Sequence, residues 1–176
     1  MIRNPGPNIK LHLHGSTRAH FALRVVAING GAVSLATVKP GSINTGHTVL
    51  IPVDAIAPLT RITSPRTGSR VRRPVTVTGT ATDTSGVGSV SFALQDTRTG
   101  RWYNPRSRTF KALHPVALAA HLGRTSRSSA TWAATLPAAL RVGRTYLLIA
   151  AAVDRAGNHQ LTFKSGLNIV RFTIRR

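Results

Sequence analysis

Between residues 75 and 94 the chain alternates with a period of two. Val75, Val77 and Gly79 take turns with Thr76, Thr78 and Thr80, and Val90, Phe92 and Leu94 take turns with Ser89, Ser91 and Ala93. Successive side chains of a strand point to opposite faces, so each run collects apolar groups on one side and small or hydroxyl groups on the other. These are half-buried strands, with Asp83-Thr84-Ser85-Gly86 as the turn that joins them. Helix surfaces, by contrast, normally carry Glu and Lys for propensity and for pairing along one face. Here the acids are Asp54, Asp83, Asp96 and Asp154, with no Glu, and the lysines are Lys10, Lys39, Lys111 and Lys164. The composition therefore predicts an all-β chain.

Further strands are expected at residues 61–63, closed by Ser64-Pro65 and the turn Arg66-Thr67-Gly68-Ser69, and at 131–136, led by Trp132. Residues 146–153 are an almost continuous apolar run, suited to a central strand. After the turn Asp154-Arg155-Ala156-Gly157-Asn158, runs at 161–163 and 169–174 are expected to close the sheet. Residues 98–127 are irregular and basic, with Trp102 and Tyr103 near the start, and one or two edge strands are placed there. Seven or so short strands over about a hundred residues indicate a two-sheet sandwich. Leu140-Arg141-Val142-Gly143-Arg144-Thr145-Tyr146 has the form of a corner in which the Tyr146 hydroxyl folds back to bond upstream backbone.

The stretch VTVTGTATDTSGVGSVSFAL is similar to the second and third strands of bacterial Ig-like repeats, and RVGRTYLLIAAAVDRAGN to their sixth strand and its exit turn. The chain thus resembles a bacterial Ig-like or fibronectin type III-like repeat domain over about residues 58–176. That resemblance implies an immunoglobulin-like β-sandwich. It also implies a setting outside the cell or on the surface of a cell or particle, where such repeats act as spacers, adhesion modules or accessory domains beside secreted hydrolases.

Residues 1–56 are expected to form a separate N-terminal β unit, with the sandwich at 57–176. Ile9, Leu11 and Leu13 alternate with Lys10, His12 and His14, residues 21–28 and 32–38 flank the hairpin signal Asn29-Gly30-Gly31, and 48–53 is a further strand. Four such strands are hardly stable alone, so the unit packs on the sandwich, ends a preceding Ig-like unit, or completes a sheet in a neighbouring copy as an assembly element. The opening MIRNPGPNIK puts Pro-Gly-Pro where a signal peptide carries its apolar region, so a mature chain, a fragment or another export route is expected.

Function is bounded by what is missing. The chain has no Cys, which removes disulfide scaffolds and thiolate zinc sites, and no apolar run approaches the roughly 20 residues of a membrane helix. There is no Gly-x-Ser-x-Gly, no phosphate-binding Gly-rich loop and no carboxylate pair set up for acid–base work, so an enzyme is not expected. Two metal sets present themselves. His12 and His14 share a strand face with His20 across a turn, but Asp54, Asp83, Asp154 and Asn158 are expected at one pole of the sandwich, where hard oxygens suit a structural calcium. Turn capping explains the same four residues. Apart from that calcium no cofactor is expected.

The charge makes a proposal of its own. With 24 Lys and Arg against 4 acids the formal charge is +20, a self-repulsion that an anionic partner would relieve. Arg66, Arg70, Arg72 and Arg73 surround one turn, while Arg98, Arg101, Arg106, Arg108 and Lys111 share the irregular segment with Trp102, a combination suited to phosphate tracking and base stacking. The expected function is a non-enzymatic structural or binding module of an extracellular or particle-surface assembly (cell surface, filament or virion), whose partners are other proteins or copies of itself. The alternatives are a polyanion-binding protein for nucleic acid or acidic glycan, and an accessory domain of a secreted hydrolase.

Overall fold

The computed structural model describes residues 9–29, 32–46, 48–54 and 56–176, and within them the chain is all β. No helix among them is long and apolar enough to cross a membrane. The chain opens with β1 (Ile9–His14), β2 (Ala19–Asn29), β3 (Ala32–Ile43) and β4 (Thr48–Val53), of which β1 pairs antiparallel with β4 and β2 with β3. Asn29 stands opposite Ala32, the register of a two-residue hairpin loop. Gly30 and Gly31, like the Pro-Gly-Pro opening, lie outside the described residues.

The strands that follow are β5 (Leu59–Ser64), β6 (Ser69–Val71), β7 (Thr76–Thr82), β8 (Val87–Asp96), β9 (Arg101–Asn104), β10 (Thr109–Ala112), β11 (Leu118–Ala119), β12 (His121–Thr125), β13 (Ser129–Thr135), β14 (Thr145–Asp154) and β15 (Ile169–Ile174). One sheet has the order β12-β13-β7-β5; the other runs β10-β9-β8-β14-β15-β6, with β11 also on β8. Their inner faces share one core, so the architecture is an immunoglobulin-like β-sandwich.

The alternation read from the sequence is the burial pattern. On β7, Val77, Gly79 and Ala81 are buried between exposed or half-buried threonines. On β14, Tyr146, Leu148, Ala150, Ala152 and Asp154 are buried and the residues between them half-buried, as suits a strand flanked by β8 and β15. The inward row of β14 therefore ends in a carboxylate. Gly79 serves a close approach: a Cβ there would overlap the ring of Trp132 and the carbonyl of Arg61. Trp132 Nε1 donates to Thr60 Oγ1 at 2.8 Å, and Thr60 Oγ1 donates in turn to the Thr80 carbonyl at 3.0 Å, so this buried polar pair is satisfied.

Three expectations need correction. Residues 161–163 are not a strand, and Leu161 and Phe163 are exposed. Amide side chains take the place of ladder bonds there, with the Thr162 carbonyl accepting from Gln160 Nε2 and from Asn168 Nδ2, both at 2.9 Å. Residues 98–127 hold four short strands, β9 to β12, rather than one or two. β9 and β10 form a hairpin on the edge of β8, and residues 118–125 then pass from one sheet to the other, β11 on β8 and β12 on β13. Finally, the turn at 66–69 continues into β6, which runs parallel to β15, with Ser69 opposite Phe172. Three residues without a side-chain period give no signal for such a strand.

Candidate metal centre

The pole of the sandwich where β14 ends carries most of the chain's acid. Asp54 lies just after β4, Asp83 follows β7 and opens the turn to β8, and Asp154 ends β14. All three are buried, and one oxygen from each lies within 4.8 Å of the others. At that spacing each pair of charges repels by about 3 kcal/mol at an effective dielectric of about 20. Among the described residues no Arg or Lys pairs with any of them, although the chain carries +20.

Four of the seven side-chain oxygens of Asp54, Asp83, Asp154 and Asn158 are engaged in shaping turns. Asp83 Oδ1 accepts from the Ser85 amide and hydroxyl, each at 2.7 Å, and Asp54 Oδ1 accepts from the Ile56 amide at 2.9 Å. Asp154 accepts from Asn158 twice, Oδ1 from the backbone amide and Oδ2 from Nδ2, both at 2.7 Å. The fully buried Asn158 also donates to the Asp54 carbonyl at 2.9 Å, which ties the approach to β5 to the exit turn of β14. The remaining oxygens are Asp54 Oδ2, Asp83 Oδ2 and Asn158 Oδ1, and each is buried without a hydrogen-bond partner among the described residues. An orphaned buried acceptor costs about 1–3 kcal/mol, more when charged. On Asp54 and Asp83, capping and cation binding therefore do not compete, because they use different oxygens of the same side chain, whereas both Asp154 oxygens are held by Asn158.

Burial pushes the Asp154 carboxyl above its ordinary range. The two hydrogen bonds from Asn158 oppose that rise, and the charges of Asp83 and Asp54 add to it. The donor set is hard oxygen throughout, the chemistry that calcium takes with 6–8 ligands and tolerant geometry. The histidine set is not brought together in the same way. His14 and His20 are exposed on different ribbons, the side chain of His12 lies outside the described residues, and among these residues no histidine joins a metal-type cluster.

The two basic clusters expected from the sequence lie at opposite edges of the larger sheet. Arg66, Arg70, Arg72 and Arg73 are exposed around β6, where Arg72 Nε donates to the Arg176 carbonyl and Arg73 Nη1 to the Leu140 carbonyl. Arg98, Arg101, Arg106, Arg108 and Lys111 are exposed around β9 and β10. Trp102 and Tyr103 provide no stacking surface beside them. Both are buried, and Tyr103 meets Phe110 edge-on at 5.4 Å. Arg141 and Arg144, which belong to neither cluster in the sequence, stand between the two edges just before β14, where Arg144 lies 3.8 Å from Asp96. Tyr146 is buried, and its hydroxyl oxygen accepts from the Arg141 amide at 2.8 Å, the expected corner.

No curated protein matches the chain. The family model of the bacterial Ig domain matches residues 58–162, and the structure carries the sandwich beyond that match with β15. Domains of this family are generally non-catalytic and are commonly found in surface or extracellular proteins, as structural or binding modules. With the match spanning more than half of its residues, the chain belongs to the bacterial Ig domain family.

Proposed function

We propose that the chain is a non-enzymatic structural or binding module of an extracellular or particle-surface assembly, and that a calcium ion on Asp54, Asp83, Asp154 and Asn158 fixes its junction. The supporting observation is the convergence of three buried carboxylates, with orphaned oxygens on two of them, in a chain that has only 4 acids to place. Asp54 belongs to the segment entering the sandwich, whereas Asp83 and Asp154 belong to turns of the sandwich itself. A cation shared among them ties the incoming chain to both sheets. Residues 1–56 then serve as an assembly element or as the tail of a preceding unit, held at a set angle rather than on a loose linker.

Calorimetric titration of the metal-stripped chain with calcium tests this reading. One ion per chain is expected, and Asp83→Asn, which keeps the Ser85 cap on Oδ1, is expected to weaken binding at least about tenfold. Absence of calcium binding at millimolar concentration contradicts the reading.

A further inference from the structure

The pole opposite the carboxylates holds a second site of inverse charge. β8 and β14 run antiparallel with Tyr146 opposite Asp96 and Asp154 opposite Val87, so Asp96 and Arg144 sit at the far end of the sandwich from Asp83 and Asp154. At about 3.3 Å per residue the ten residues of β14 put the two ends about 30 Å apart. At this far end a pocket of about 320 Å³ is lined by Arg108, Lys111, Arg141 and Arg144, with Asp96 and Tyr146 among its other walls. That volume lies in the range of small-ligand sites.

Three features of the pocket point to an anion. Four cations face one carboxylate, and that carboxylate is already engaged, since Asp96 Oδ1 accepts from the Arg98 amide at 2.9 Å. Arg144 Nη1 is buried with no hydrogen-bond partner among the described residues, its 3.8 Å separation from Asp96 Oδ2 being too long for a bond. An oxyanion in the pocket supplies the missing acceptor. Arg108 has a φ of 55°, a left-handed conformation that costs a residue other than Gly about 1–2 kcal/mol, and it adopts this conformation beside the pocket. Strain of this kind gathers at binding sites.

The surroundings decide the class of partner. Base stacking needs exposed aromatic faces, and Trp102 and Tyr103 are both buried. Isolated carboxylates or sulfates spaced along a sugar chain need no such face, and planar guanidinium groups meet them with paired hydrogen bonds. We infer that the pocket bounded by Arg108, Lys111, Arg141 and Arg144 binds a sulfate or carboxylate group of an acidic polysaccharide. This site goes beyond the calcium junction and does not depend on it.

The test titrates the full chain with a heparin hexasaccharide, with hexagalacturonate and with a single-stranded oligonucleotide of similar charge, at physiological ionic strength. Lys111→Gln with Arg141→Gln removes two exposed pocket cations, and Arg66→Gln with Arg70→Gln removes the same charge at the far sheet edge. The pocket pair is expected to weaken one or both oligosaccharides by at least about tenfold, and the edge pair by no more than about threefold. The sugar that responds distinguishes sulfate from carboxylate. Equal losses in both variants, no oligosaccharide binding, or pocket-dependent binding confined to the oligonucleotide each overturn the assignment. Unchanged melting of the variants verifies that binding, and not folding, has been altered.

Discussion

Tyr146 shows how one side chain joins packing to polarity. Its ring is buried against Phe110 and Phe172, with centroids 5.3 and 6.1 Å away, while its oxygen caps the Arg141 amide. Tyr146→Phe keeps the ring and removes the acceptor, so unfolding in denaturant should show a loss of about 1 kcal/mol. Burial raises the phenol above its ordinary value of 10.0; the bond from Arg141 opposes the rise, the Asp96 charge adds to it, and the charges of Arg144 and Arg141 oppose it. A raised folded value means stability that is whole below about pH 10 and is lost as pH climbs through the folded value. The wild-type chain should therefore lose more stability than Tyr146→Phe between about pH 9 and pH 11.5. Equal losses would show that the phenol stays unperturbed on folding. Gly79 makes the complementary point about volume. Since a Cβ there meets backbone as well as the Trp132 ring, Gly79→Ala should cost about 3 kcal/mol in the same measurement.

At the scale of elements, the strands long enough to carry an apolar row or run were legible and the shortest were not. β7, β8, β13 and β14 each place a buried row opposite a more exposed one, and the sequence carries that row openly. β6 and β11 are too short to show a period and exist because a neighbour's edge is open. Leu161 and Phe163 misled because they alternate with Thr162 as a strand would, yet the amides of Gln160 and Asn168 satisfy the backbone there instead. Asn168 is fully buried and also accepts from the Lys164 amide at 2.7 Å. Asn168→Ala should therefore destabilise the chain by about 2 kcal/mol, with hydrogen exchange accelerating first at residues 162–168. A uniform acceleration across β14 and β15 would mean that the loop has no local role. The candidate site was legible for a related reason. Turn residues sit where strands end, so a strand count places Asp83 and Asp154 at one pole. The orphaned oxygens were not legible, because which oxygen caps a turn depends on geometry that spacing does not carry.

Across the whole molecule the charge is sorted rather than spread. Three of the four acids lie buried together at one pole, the fourth stands among cations at the other, and two groups of exposed Arg residues lie at the edges of the larger sheet. Calcium at the Asp54, Asp83 and Asp154 pole carries a signature that turn capping alone lacks. Without metal, Asp83→Asn removes a repelling charge and keeps the cap, so its melting temperature in chelator should equal or exceed that of the wild type. With calcium at about a hundred times its dissociation constant the wild type gains about 2.7 kcal/mol, or about 5–10 °C for a chain of this size, and the variant gains much less. The most direct measurement is thermal melting of both proteins, with millimolar calcium and with chelator. Their order of stability should reverse between the two conditions; a wild-type melting temperature that ignores calcium would contradict a calcium ion at this pole.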